Sequence, residues 1–205
     1  VSEEKINPNS LIDKILGYVD SPFKLFAIVL MAVFTFAGYF LWQNQAFLIN
    51  AYKEQKKLPT IAEDRVEDVA AHLFKHTDAA AVAIFKVNPI FGTRVLYRAY
   101  TKDGRDKTHE GLDVGLFTTN SSNNKDVVAL MAGEIPCGQY KTAQSEIGLW
   151  YIEKGVAYGC RVSVPPEQGK FVGQITVGWR EEPPDIEAYR TLLQIAATML
   201  SRSKQ

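Results

Sequence analysis

The chain has 205 residues, in which 23 Lys plus Arg balance 23 Asp plus Glu for a formal net charge of zero. That balance excludes a partner recognised by bulk charge, and nucleic acid above all, since phosphates demand a basic face. Apart from its first 52 residues the sequence has the length of one ordinary domain, enough for a proper core, with no internal repeat and no low-complexity tract.

The first predicted element is a short helix in "SLIDKILGYVD". Leu11, Ile12, Ile15, Leu16 and Val19 fall on one face, Ser10 with Asp13 resembles a capping box, and Asp20-Ser21-Pro22 stops the helix. Residues 1–24 read as a cytoplasmic amphipathic segment, either lying on the membrane surface or serving self-association.

"LFAIVLMAVFTFAGYFLW", Leu25 to Trp42, follows without one charge. Eighteen helical residues span about 27 Å, the thickness of a bilayer's hydrocarbon core. Lys24 closes the run on one side, and the next charge is Lys53, so residues 25–52 are assigned to a transmembrane helix and its juxtamembrane stretch. The run ends in Tyr39, Phe40 and Trp42 rather than the small residues of a signal-peptide cleavage site. Lys24, Tyr39 and Trp42 therefore read as interfacial anchors. Thr35 and Tyr39 are the only hydroxyls, which is too little polarity for a narrow water channel. Thr35, Ala37 and Gly38 offer a small patch for helix association, so clustering in the bilayer fits this surface better. The lysines on either side do not decide orientation. Cys137 and Cys160, an even pair in one domain, suit a disulfide in an oxidising compartment and hence a domain outside; two buried thiols are the alternative.

Residues 53–205 form the predicted soluble domain. A helix is expected over 61–76, after Pro59, then strands over 79–87 and 93–101 joined by an Asn-Pro turn. The region 103–150 reads as irregular, and "TTNSSNNK" at 118–125 as an exposed loop. Strands over 155–164 and 170–179 make a second hairpin, and a helix over 185–204 opens at Asp185. The order predicts an α+β domain, an antiparallel sheet with flanking helices, with a PAS- or GAF-like look.

Chemistry-bearing motifs are sparse. His72 and His76 are four apart, but "HLFKH" lacks the glutamate and the third ligand of a zinc site, and His109 is assigned no role. No nucleophile elbow, phosphate-binding loop or dinucleotide glycine pattern occurs, and "REE" at 180–182 reads as a strand end. No catalytic residue, metal site or cofactor is expected, and the chain is not read as an enzyme.

Several segments together resemble the holins of T-even coliphages, the membrane proteins that time host lysis. They are "SLIDKILGYVD" before the apolar run, "AYKEQKK" after it, "AVAIFKVNPIF", "YGCRVSV", "GQITVGWRE" and "AATMLSRSK", collinear over about residues 10–204. The resemblance implies a protein of the host inner membrane, N-terminus cytoplasmic and domain periplasmic, that self-associates and forms large lesions releasing endolysin. It also implies that an antiholin binds the periplasmic domain and delays triggering. The sequence departs from the pattern at Leu193, where the family has a cysteine paired to the equivalent of Cys160; a bridge here would instead join Cys137, in the loop region, to the strand. The alternative reading is a membrane-anchored sensory or binding module, carried by the GAF-like look of "YGCRVSVPPEQGKFVGQITVGW".

Overall fold

A computed structural model describes residues 22–143 and 145–202. The N-terminal face of Leu11, Ile12, Ile15, Leu16 and Val19 lies outside the described residues. The chain divides into two compact units, residues 1–55 and 56–205.

The first unit is dominated by helix α1 (Pro22–Lys57), 36 residues long. Its Pro22–Asn50 stretch is long and apolar enough to cross a bilayer, and none of its apolar window is buried. Pro22 opens it, at a position where a missing N–H costs nothing. The helix runs past Trp42 because Gln43, Asn44 and Gln45 do not break it. Pro59 does, by disfavouring helical backbone at the residue before it.

The second unit begins with strand β1 (Thr60–Ile61), a 3₁₀ turn (Glu63–Arg65) and helix α2 (Val66–Thr77). The helix expected over 61–76 thus starts five residues late. Ile61 is taken by pairing with Ser201 of strand β8 (Ser201–Arg202), and the Ala62 amide donates to the Leu200 carbonyl. β2 (Ala81–Asn88) and β3 (Thr93–Thr101) form the first expected hairpin. β6 (Tyr158–Val164) and β7 (Gly173–Trp179) form the second. Helix α5 (Ile186–Leu200) closes the domain, capped by Asp185, whose side chain accepts from the Ala188 amide.

The region read as irregular contains four elements: β4 (Gly104–Asp106), α3 (Ser121–Met131), β5 (Cys137–Gln139) and α4 (Glu146–Glu153). The loop expected at 118–125 is half helix. Asn120 caps α3 by accepting from the Ser122 and Asn123 amides, so the polar run is a helix start.

All neighbouring strands of the six-stranded sheet are antiparallel, in the order β4-β3-β2-β7-β6-β5. One face packs on α2 and α5. There Val69, Leu73, Leu193 and Leu200 meet Val82, Ile84, Val162, Ile175 and Val177, all 0–1% exposed. Trp179 seals this layer, its indole N–H donating to the Thr77 carbonyl at 2.7 Å. The other face meets α4, where Trp150 and Tyr151 pack against Ala81, Ala83, Phe85 and Leu96. A satellite cluster of Val87, Leu116, Val127, Leu130 and Phe171 holds α3. Fully burying side chains of this kind stabilises by about 1.5–3 kcal/mol each.

Candidate functional site

The face of the sheet opposite α2 and α5 is only partly filled. Between its central strands, α3, α4 and the segment running on from β5 lies a cavity of about 690 Å³. Strand alternation builds its floor. In β7, Ile175 and Val177 point to the helical core while Gln174 and Thr176 line the cavity. In β6, Cys160 and Val162 belong to the core while Arg161 lines the cavity. Gln174 and Thr176 are buried, and the Gln174 amide donates to the Thr176 hydroxyl at 2.8 Å.

Arg94 of β3 enters the same floor and is 7% exposed. Its guanidinium donates from Nη1 to Gln174 Oε1 at 3.2 Å and from Nη2 to Asn123 Oδ1 at 2.6 Å. Its buried Nε has no hydrogen-bond partner among the described residues. Burial lowers the pKa of Arg94, with Tyr151 and Asp113 opposing the shift. The Asp113 carboxylate spends Oδ1 on the backbone amides of Arg94 and Gly115, at 3.0 and 2.9 Å.

Arg161 donates to Asp126 of α3 in an ion pair across the cavity wall. Although 29% of its side chain faces the opening, desolvation by the surrounding wall lowers its pKa to about 10, and the positive charge of Arg94 adds to this. Tyr140 and Tyr151 meet edge to face, centroids 5.6 Å apart, and burial raises the pKa of both. The Tyr151 hydroxyl lies near Thr176 without a hydrogen bond of good geometry.

Cys137 lies at the rim, joined by a disulfide to Cys160, its register partner across the β5–β6 ladder. The bridge ties the three-residue edge strand β5, and so the start of the segment carrying Tyr140, to the neighbouring strand β6.

The other residues singled out by sequence lie elsewhere. The rings of His72 and His76 meet at a 46° tilt on α2, centroids 4.6 Å apart, and no metal-binding cluster occurs among the described residues. On α1, at 100° per residue, Thr35, Gly38, Tyr39 and Trp42 share one face while Ala37 lies on the other side, so the three small residues expected to associate do not share one face. The Thr35 hydroxyl donates back to the Met31 carbonyl at 2.8 Å, and a Cβ added at Gly38 would meet nothing within 4 Å. Tyr39 accepts from Gln43 Nε2, Trp42 is 72% exposed, and Lys24 sits in the first turn.

Sequence reading passed over Arg94, Arg161, Gln174 and Thr176. Their alternation with apolar residues along β3, β6 and β7 is what a solvent-facing sheet would also give, so it carried no distinguishing signal.

No protein-family model and no curated protein matches the sequence. Solved structures similar in fold include the GAF domain of a two-component sensor histidine kinase from Bacillus halodurans, at 12% identity and a TM-score of 0.50, covering 68% of this chain and 92% of that one. The phycoerythrobilin-bound GAF domain from a cyanobacterial phytochrome also has a TM-score of 0.50, at 13% identity, covering 74% of this chain and 88% of that one. The domain therefore has a GAF-like α+β fold, in agreement with the pattern read from the sequence.

Proposed function

We propose that the chain is a membrane-anchored binding module: α1 spans a bilayer, the GAF-like domain stands outside the cytoplasm, and occupancy of the domain governs what the anchored helix does. The observation that carries this reading is the large cavity with a polar floor on the sheet of a domain joined to an apolar helix whose bilayer-length window is unburied. The relatives in fold come from a sensor histidine kinase and a phytochrome, which favours a sensory role. The disulfide supports an oxidising compartment for the domain. Membranes from cells expressing the full chain test the reading. The protein should resist alkaline carbonate extraction, and protease added to intact spheroplasts should digest the domain. Extraction by carbonate, or protection until the spheroplasts are broken, refutes it.

A second reading is a phage holin whose periplasmic domain is bound by an antiholin, with lesions formed by lateral clustering of α1. It is supported by the stripe of Thr35, Gly38, Tyr39 and Trp42 on a helix without a continuous polar face, together with the collinear segments that resemble T-even holins. No catalytic chemistry enters either reading. Induction of the full chain in a bacterial host should give abrupt, timed dye entry under the holin reading. Continued growth with intact membranes, after confirmed insertion, leaves the binding module alone.

A further inference from the structure

The cavity has an uncompensated charge. Among its described lining residues the cations are Arg94, Lys141 and Arg161, and the only carboxylate, Asp126, is already paired with Arg161. Arg94 is the deepest of the three, and both of its side-chain hydrogen bonds go to neutral amide oxygens. A buried guanidinium with no anion bonded to it is costly, and the wall amides with the nearby Asp113 carboxylate, which bonds only the Arg94 backbone amide, offset only part of that cost. Its planar fork matches a carboxylate or phosphate, and its buried Nε has no bond.

Resting on the binding-module reading, we propose that the cavity is a site for a small anion bearing a carboxylate or phosphate group, seated on the Arg94 guanidinium. The volume is that of a small-molecule site. Phe85, whose ring centroid lies 6.0 Å from the Arg94 guanidinium, and Tyr140 supply apolar surface for the rest of the ligand. Free metabolites and the headgroups of anionic lipids share this chemistry.

The test uses the full chain in zwitterionic detergent micelles, titrated calorimetrically with inorganic phosphate and with citrate, against chloride at equal ionic strength. Saturable binding of phosphate or citrate is expected, weakened at least about tenfold by Arg94→Met. Arg94→Lys keeps the charge but not the fork, and should weaken binding at least about fivefold even if Arg94→Met fails to fold. Vesicles with anionic lipid that compete with the soluble anion would assign the site to a headgroup; vesicles that do not compete would assign it to a free ligand. Responses to phosphate and citrate no different from chloride, or equal affinity in the Arg94 variants, overturn the proposal. In a protein that still resists carbonate and is digested from outside, that result removes the anion and leaves the binding module standing.

Discussion

Opening the Cys137–Cys160 bridge should destabilise the domain by an amount that its sequence separation of 23 fixes. On the chain-entropy model a loop of that size contributes about 3.4 kcal/mol. Divided by the unfolding entropy of about 150 residues, roughly 0.3 kcal/mol/K, this lowers the melting midpoint by about 11 °C. The bridge pins an edge strand of only three residues, so little of the native packing compensates for its loss. The assay is tryptophan-fluorescence melting of the full chain in micelles, with and without reductant, beside Cys137→Ser, which avoids placing a hydroxyl at the fully buried Cys160. Reduction and Cys137→Ser should agree, and reductant should not shift the variant further. A fall of less than about 3 °C would refute the argument that the bridge constrains the unfolded chain.

Three further outcomes follow from the packing. Gly178→Ala would bring a Cβ within 2.6 Å of both Val156 γ-carbons, so urea unfolding should show a loss of about 1–3 kcal/mol; a change inside about 0.5 kcal/mol contradicts it. The Asp106 carboxyl is held well below the usual carboxylate range, first by the Thr108 hydroxyl, then by the Trp150 indole N–H and the Thr108 amide. Its stabilisation is therefore complete above the unfolded carboxylate value near about 4 and is lost as pH falls through the folded value; Asp106→Asn should flatten the acid side of the melting profile, and an unchanged acid slope would remove Asp106 as its cause. Within the bilayer, Gly38→Ile should alter helix association measured by energy transfer between labelled copies, whereas Ala37→Ile, on the other side of α1, should not; equal effects would show that the stripe does not set the contact.

The parts of the fold legible in the sequence were those whose pattern has one cause. The apolar run, the two hairpins and the final helix each carry a single periodicity, and the structure has them with shifted ends. Residues 103–150 were opaque because their elements are short and are held by tertiary contacts. α4 has eight residues, and Trp150 within it is fixed by its bond to Asp106, 44 residues away. The polar run at 118–125 became a helix start through one cap, Asn120, inside a composition that reads as loop. The cavity was illegible for the same reason. Gln174 and Thr176 alternate with core residues just as they would on a solvent-facing sheet, and only the roof built by α3, α4 and the rim after β5 turns that face into an interior. Arg94 looked like any strand arginine until Asn123 and Gln174 were brought to it from 29 and 80 residues away.

The central claim is that the domain governs the helix that anchors it. The full chain and residues 1–57 alone, induced to equal membrane levels in the same bacterial host, would be compared for self-association of α1, read as energy transfer between copies labelled at the same position. The account predicts different transfer efficiencies, because only the full chain carries the element that sets the helix's behaviour. Equal efficiencies would contradict it.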